Sequence, residues 1–409
     1  MSGKYKGAQS HILQQNPLAL FSPCGCHTLN LCGVHAAECC AEVINFFGIV
    51  QKLYNIFSSS PQRWEILKTN IGYSLHSMSD TRWSARIDSV KPFAAHIPGL
   101  RQAVNDLESL NLTPEVQSDP KGIESYINSF ECIIMASTWV KALTLINYRS
   151  TILQTIEATV DVEAENVESL IVELQHLRDN WDGILDECRL VSRNLDIPET
   201  FPDKRKKIRK RFFDKSGDKI VEKYKETEFK QNVFYALLDS LIGNMTRRFV
   251  ALKEIENRFS FLWKYLTLEA EDLRVKSDNF CKYYDMDVSH DLIEEILHLK
   301  AIHPVNLNQD SLPPFKLLNR LLENKIEVLF PNIVVALRIF CTIPVSVAQG
   351  ERSFSLLARI KNVLRSTMCQ GRLSSLGVLA LKSSLARKLN FDEFIFYFAN
   401  QKARKAHLK

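Results

Sequence analysis

Long helical patterns with few turn residues between them restrict the fold of this chain more than any other feature. Glycine and proline number 14 each among 409 residues, and scarce turn residues favour long helices over a many-stranded sheet. From about Ser84 to Leu312, apolar residues recur at helical spacing. Since 45% of the residues are apolar, the chain can bury a sizeable core in two or three domain-sized units. We therefore expect a mainly helical protein.

Charge and cysteine content indicate an intracellular protein. The formal net charge is +5 and the sequence pI is about 8.6, which permits contact with nucleic acid without requiring it. The first residues lack the apolar core of a signal peptide, and no apolar run approaches the length that spans a bilayer, so we expect no membrane partner. Ten cysteines fit a reducing compartment, because several lie in apolar helical patterns where free cysteine acts as a small hydrophobe.

A cysteine-rich segment follows a short apolar run near the N-terminus. Residues 18–23 predict a short buried strand, and the next residues begin a helix. Cys24 and His27 stand at positions i and i+3, so a zinc site is an alternative, but the segment lacks a second ligand pair at zinc-finger spacing. We favour a structural role and predict no metal here. The neighbouring cysteines and histidine are Cys26, Cys32, His35, Cys39 and Cys40.

One dense run of basic residues lies in the middle of the chain. Prolines precede it and Gly217 follows it, which predicts a loop between helices. Such a run can act as a nuclear import signal, bind phosphates, or be no more than a solvated loop. We expect a nuclear protein, with a cytoplasmic location as the alternative. The basic residues are Lys204, Arg205, Lys206, Lys207, Arg209, Lys210 and Arg211.

The C-terminal part begins with a helix that carries an acidic residue beside basic ones. Ser346 and Gln349 form a capping-box pattern, so a helix should begin at about residue 347 and place Glu351 in its second turn. On spacing alone, Glu351 is an ordinary solvated carboxylate paired with a neighbouring arginine. The tail has more apolar side chains than one terminal helix pair buries easily, which indicates a partner surface. Its candidate contact residues are Leu373, Leu376, Leu379, Phe394 and Phe398.

The order of motifs around this helix resembles a known family. Glu-Arg-Ser-Phe-Ser at 351–355, Ile-Lys-Asn-Val-Leu-Arg-Ser at 360–366 and Arg-Leu-Ser-Ser-Leu at 372–376 resemble the C-terminal signature of hAT-family DNA transposases. The resemblance implies that Glu351 is the last of three metal-binding carboxylates and that a dimerisation region follows it. It also implies that the apolar tail packs either in a dimer, with a second copy of the chain or another hAT-type chain, or within the chain against the helical insertion.

Two N-terminal elements extend the resemblance. Cys24, His27 and the Leu-Asn-Leu at 29–31 resemble a block that follows a strand of the family's ribonuclease-H-like domain. Thr-Arg-Trp at 81–83 resembles the family element whose tryptophan lies near the DNA. The resemblance therefore places Arg82, Trp83 and Arg352 close to DNA, whereas the residues alone also allow Trp83 to be a core or rim aromatic at a helix start.

The resemblance implies an α-rich α/β fold with an incomplete ribonuclease-H-like core, interrupted by a large helical insertion. The expected domains are the remaining N-terminal part of that core at 1–95, the insertion with its basic loop at 96–312, and the acidic helix with the dimerisation region at 313–409. Met1 aligns with an internal methionine of the transposase-like body of MYM-type zinc-finger proteins. We therefore expect an N-terminally truncated chain that keeps Glu351 alone of the three carboxylates.

A lone carboxylate binds magnesium weakly, because Mg²⁺ prefers several oxygen ligands, and two-metal cleavage requires more carboxylates than one. We therefore expect no cofactor for the chain as given, with Mg²⁺ required only by a complete transposase. The expected function is that of a catalytically incomplete, transposase-derived protein that acts through dimerisation and possible DNA binding. The alternative is a fragment of a longer active DNA transposase whose first two aspartates lie upstream of Met1.

Overall fold

The computed structural model describes residues 7–78, 83–108, 114–155, 159–201, 225–306, 312–343 and 348–400. The chain divides into two compact units, an N-terminal unit at Met1–Ser346 and a C-terminal unit at Val347–Lys409. Within the described ranges both units are built from helices and connecting loops. The helical character expected from the sequence is confirmed. The predicted domain boundaries at 95/96 and 312/313 stay predictions.

The N-terminal unit contains seventeen α-helices in its described residues, numbered here in chain order. A π-helical turn at Lys230–Tyr235 leads directly into α11. The helices are α1 (Ala8–Gln15), α2 (Gly25–Ala37), α3 (Ala41–Ser58), α4 (Pro61–Ile71), α5 (Trp83–Ala95), α6 (Ile97–Glu108), α7 (Pro114–Ile127), α8 (Phe130–Leu153), α9 (Val160–Asp179), α10 (Trp181–Asn194), α11 (Ala236–Arg248), α12 (Val250–Phe259), α13 (Phe261–Lys264), α14 (Ala270–Tyr283), α15 (Leu292–Asn306), α16 (Pro314–Glu323) and α17 (Pro331–Cys341).

The C-terminal unit is smaller and contains four α-helices in its described residues. They are α18 (Ala348–Ile360), α19 (Gln370–Leu381), α20 (Ser383–Ala386) and α21 (Asp392–Asn400), with a 3-10 turn at Val363–Arg365 between the first two. Helix α18 begins within one residue of the position that the capping-box pattern predicts. The helical interpretation of the Glu351 segment is therefore confirmed.

The predicted strand at residues 18–23 does not form, and the described residues contain no strand at all. This part of the chain is an irregular segment whose Leu18 and Leu20 pack against the core while partly exposed. A strand needs a neighbouring strand for its backbone hydrogen bonds, and two prolines, Pro17 and Pro23, each remove a donor here. The α/β assignment with a ribonuclease-H-like sheet is therefore not supported by the described residues.

Helix α8 is the central element of the N-terminal unit. It packs against α2, α3, α5, α7, α9 and α10, and Phe130, Trp139 and Leu143 are among its fully buried side chains. By length and composition α8 could cross a bilayer, which corrects the expectation that no apolar run approaches that length. However, 67% of its most apolar window is buried inside the protein, as expected for a core helix.

Edge-to-face aromatic contacts join α8 to α3, and α3 to α5. The ring of Trp139 lies 4.8 Å from that of Phe47 on α3, and Phe46 lies 5.9 Å from Phe93 on α5. Such pairs stabilise by about 0.5–1.5 kcal/mol beyond the burial of their area. The aromatic residues therefore fix how α3 and α5 lie on the central helix.

A carboxylate from α15 caps the N-terminus of α17. Glu295 Oε2 accepts a hydrogen bond from the backbone N–H of Ile333 at 3.0 Å. Its Oε1 accepts from the backbone N–H of Asn332 at 3.3 Å and from Asn332 Nδ2 at 2.6 Å. Because the first N–H groups of a helix have no partner inside the helix, this side chain satisfies donors that would otherwise be unpaired. Glu295 thus holds the start of α17 against α15 through hydrogen bonds.

We expect Glu295→Ala to lower the free energy of unfolding by about 1–3 kcal/mol, because the backbone N–H groups at the start of α17 lose their charged acceptor. The adjacent Glu294 is a matched control, because its side chain is 73% exposed and its partner is Arg274 at the surface. Glu294→Ala should change stability by less than about 1 kcal/mol. Chemical denaturation followed by circular dichroism measures both. Equal losses in the two variants would contradict the capping role.

Candidate interaction surface

The C-terminal unit buries very little of itself. Helices α18 and α19 pack against each other, and of the described side chains only Leu373 is buried while Gly377 lies close to Leu357. Phe354 of α18 is 73% exposed. The described part of this unit therefore has two packed helices but almost no enclosed core.

Among the described residues of this unit, fourteen large apolar residues are exposed, and we call them the apolar surface. Val363 and Leu364 in the 3-10 turn are 92% and 94% exposed. A monomeric soluble protein rarely exposes contiguous apolar area beyond about 300–600 Å². The members are Phe354, Val363, Leu364, Val378, Leu379, Leu381, Leu385, Leu389, Phe391, Phe394, Ile395, Phe396, Tyr397 and Phe398.

Helix α21 is apolar on every face. Five consecutive residues, Phe394 to Phe398, are each at least half exposed, and the helix has no buried residue. A helix that is apolar all round is normally enclosed by protein. Helix α21 therefore has the composition of a core helix without a core around it in the described residues.

The size of the apolar surface suits a protein partner. Aromatic side chains bury about 150–250 Å² each when fully covered, so fourteen half-exposed apolar residues could cover on the order of 1,000 Å². A standard interface buries about 800 Å² on each partner. The summed apolar area of these residues is thus of the size that a specific complex buries.

The five predicted contact residues fall into two groups. Leu373 is 7% exposed and packs inside the unit, and Leu376 is half-buried. Leu379, Phe394 and Phe398 are exposed, the last two at 65% and 57%. The structure therefore makes three of the five directly available to a partner.

The C-terminal unit is also strongly basic. Residues 347–409 contain twelve lysines and arginines against three acidic residues, whereas residues 1–346 contain 40 against 44. The mild net charge of the whole chain hides this asymmetry. Charge concentrated in one unit points to a partner for that unit, because like charges on a compact surface repel.

Several predicted site residues lie outside the described part of the structure. Residues Arg82 and 204–211 are not described, and neither are the side chains of Trp83, Glu351 and Arg352. Trp83 begins α5, and Glu351 with Arg352 lies in α18. The catalytic and DNA-proximal roles implied for them stay predictions.

Cys24 and His27 occupy the start of α2. Cys24 is the N-cap and is half-buried, whereas His27 is exposed one turn later. Among the described residues, no group of three or more His, Cys, Asp or Glu side chains is arranged to hold a metal ion. The structure instead brings a buried carboxyl group, Glu163 of α9, next to Cys24 and Gly25.

Glu163 was missed by the sequence analysis. It is fully buried, and neither carboxyl oxygen has a hydrogen-bond partner among the described residues. A methyl group on Gly25 would overlap Glu163 Oε1, so any side chain at this position would require the carboxyl group of Glu163 to move. The available signal was its register, since Glu163 lies on the same helical stripe as the buried Val160, Val167 and Leu170.

Burial, with a smaller contribution from Cys24, raises the pKa of Glu163 from its ordinary value near 4.5 to about 8. In the unfolded chain the carboxyl group ionises near its ordinary pKa, whereas in the folded chain it stays protonated until the pH approaches 8. The contribution of Glu163 to stability is therefore complete below about pH 4.5 and is lost as the pH rises towards 8.

We expect Glu163→Gln to become progressively more stable than the unsubstituted chain between pH 5 and pH 8, because glutamine has no ionisation to suppress. The relative gain should reach roughly 3–5 kcal/mol, at about 1.4 kcal/mol for each unit of pKa shift. Glu165→Gln is the matched control, since Glu165 is an exposed residue on the same helix. Denaturant unfolding across this pH range measures the difference. A difference that does not vary with pH would show that Glu163 ionises normally.

Comparison with known proteins gives one family match. The model of the hAT family C-terminal dimerisation region matches residues 299–385, and no solved structure matches the chain. The matched residues run from α15 in the N-terminal unit to α20 in the C-terminal unit. This match supports a hAT-type, transposase-derived protein with a self-association region.

Proposed function

We propose that this chain is a transposase-derived hAT protein that acts through self-association and does not itself cleave DNA. The observation that carries the proposal is that the matched dimerisation region contains half of the apolar surface of the C-terminal unit, and the other half follows it directly in the sequence. Eight of the fourteen apolar-surface residues precede Phe391, and most of these lie inside the matched range. The partner is a second copy of this chain or another hAT-type chain.

The matched region exposes further apolar side chains within the N-terminal unit. Phe315 and Leu322 lie seven residues apart on one face of α16, and Val328 and Leu329 follow in a 3-10 turn. All four are exposed although they belong to the matched range. We propose that these residues also take part in association, as a separate contact area on the N-terminal unit.

The number of metal-binding carboxylates supports the proposal that the chain does not cleave DNA. The family resemblance assigns Glu351 alone to this chain, and one carboxylate cannot hold two magnesium ions. The likeness to MYM-type zinc-finger proteins belongs to the same proposal. The alternative is a fragment of a longer active transposase, in which upstream aspartates would complete a Mg²⁺ site with Glu351. Magnesium-dependent DNA cleavage that disappears in Glu351→Gln would favour this alternative.

A nuclear location and DNA binding through the basic run at 204–211 complete the proposal. They are supported by the density of positive charge in that run. Fluorescence microscopy of the tagged chain, with and without neutral substitutions in this run, tests the location. A cytoplasmic location of the unsubstituted chain would contradict it.

The association is tested by placing charge on α21. We expect Phe394→Asp combined with Phe398→Asp to weaken the dimer roughly a hundredfold or more, since a carboxylate at each site must be desolvated and the burial of each aromatic ring is lost. Val172→Asp combined with Val275→Asp is the matched control, because both valines are exposed to a similar extent on helices of the N-terminal unit. Sedimentation velocity over a concentration series measures the dissociation constant. Equal dissociation constants for the two double variants would contradict the proposed surface.

Added salt should strengthen the same association. Each C-terminal unit carries an excess of nine positive charges, and two copies repel at low ionic strength. Salt shortens the Debye length from about 10 Å at 0.1 M to about 3 Å at 1 M. We therefore expect the dimer dissociation constant to fall severalfold between about 50 mM and 500 mM sodium chloride. A dimer that weakens with salt would indicate an interface of opposite charges instead of an apolar one.

A further inference from the structure

Two cysteines stand side by side at the corner between α2 and α3. Cys39 and Cys40 lie in the three-residue connection of these helices, which are bent by 106° relative to each other. Both thiols are half-buried and in the reduced form. The pair belongs to neither the apolar surface nor the basic run at 204–211, so the proposed function leaves it unexplained.

The two thiols are in direct contact. They form a hydrogen bond, and this bond together with burial raises the pKa of the Cys39 thiol well above its ordinary value. A bond that favours the protonated form of Cys39 is one in which its S–H group donates and the sulfur of Cys40 accepts. The two sulfur atoms therefore differ, because Cys39 keeps its proton while the hydrogen bond favours negative charge on Cys40.

The backbone on both sides holds the pair in place. The N–H of Cys39 donates to the C=O of Ala36 at 3.3 Å, and the C=O of Cys40 accepts from the N–H of Ile44 at 3.2 Å. Ala36 and Val43, which flank the corner, are fully buried. The connection is thus anchored to the core through both helices, and the two sulfur atoms are kept near each other.

We infer that Cys39 and Cys40 form a redox modification site, at which a peroxide converts the two adjacent thiols into a disulfide. The thiolate of Cys40 attacks one peroxide oxygen and the O–O bond breaks. Cys40 becomes a sulfenic acid, and the leaving oxygen takes up the proton that Cys40 lost. The sulfur of Cys39 then attacks the sulfenic sulfur and the S–O bond breaks. The departing hydroxide takes the proton of Cys39 and leaves as water, so two thiols are oxidised and one peroxide is reduced.

The disulfide between neighbouring residues is strained and therefore easily reduced. Adjacent Cα atoms are about 3.8 Å apart across a trans peptide, whereas most disulfides join Cα atoms about 4.4–6.8 Å apart. Strained disulfides are the labile and regulatory ones. A bridge of this kind suits the reducing compartment expected from the cysteine content, where disulfides form only transiently.

Oxidation should also weaken the packing of α3. Ring closure rotates the backbone at the corner, where hydrogen bonds tie the end of α2 to the start of α3. Helix α3 contributes Phe46 and Phe47, which contact Phe93 and Trp139 edge to face. We therefore expect the oxidised chain to unfold at a lower denaturant concentration than the reduced chain, and dithiothreitol to restore the original midpoint.

The test treats the full chain with hydrogen peroxide, alkylates the remaining thiols, and digests the product with a protease that cleaves after glutamate. Because Glu38 precedes the pair and Glu42 ends the next segment, digestion releases a four-residue peptide that contains no other cysteine. After oxidation, mass spectrometry should find this peptide lighter by two hydrogen atoms and without an alkyl group. Dithiothreitol added before alkylation should restore two alkylated cysteines.

Substitutions assign the role of each sulfur. In Cys39→Ser the reaction should stop at the sulfenic acid of Cys40, which the 1,3-dicarbonyl reagent dimedone traps. In Cys40→Ser the trapped product at Cys39 should be roughly tenfold less abundant, because burial keeps this thiol protonated. Cys369→Ser is the matched control, since Cys369 is an exposed cysteine of the C-terminal unit. It should leave the yield of the four-residue disulfide peptide unchanged.

Four results would overturn the inference. The first is a four-residue peptide that stays fully alkylated while Cys369 is oxidised. The second is a disulfide that joins this peptide to another segment or to a second copy of the chain. The third is oxidation of either cysteine to a sulfinic or sulfonic acid without a disulfide. The fourth is an equal yield of sulfenic acid in Cys39→Ser and Cys40→Ser, which would show that the two sulfur atoms do not differ.

Discussion

The need to cover helix α8 on opposite sides determines the organisation of the N-terminal unit. A helix with a single apolar stripe can rest on a surface, but α8 buries Phe130 on one side and Trp139 and Leu143 on the opposite side. Six other helices pack against it, and each must turn its own apolar side inwards to do so. The free energy of burial is therefore shared by all of them, and no single neighbour of α8 can be removed without exposing part of its surface to water.

The sequence predicted local structure better than it predicted which residues meet. Helices follow from spacing within one segment, and for this reason the helical pattern from Ser84 onwards and the helix that contains Glu351 were found. The strand at residues 18–23 depended on distant partners that the spacing cannot show. The sequence shows Glu163 as an acidic residue among the apolar residues of one helix face. In the fold, however, it is packed against Gly25, which lies far away in the sequence. Local propensity carries no information about such long-range contacts.

The candidate interaction surface also shows that the sequence pattern does not reveal which residues meet. Leu373 and Phe394 are both apolar residues of helical segments, yet the former is covered by its own unit and the latter is not. Periodicity identifies residues that avoid water but cannot say whether the cover comes from the same chain or from another. The charge asymmetry was also hidden, because a sum over the whole chain cancels the basic C-terminal unit against the slightly acidic N-terminal one.

The matched range of the family model and the folded units of this chain do not have the same limits. The range begins at residue 299 inside α15, whose Leu299 and His303 are fully buried, and Tyr265 Oη lies 2.7 Å from Nδ1 of that histidine. A fragment cut at this limit would divide a core helix and separate the histidine from its tyrosine. The range also crosses the division at Ser346. The segment that the family model matches is thus not a folding unit by itself, because it depends on other parts of the chain for its folding.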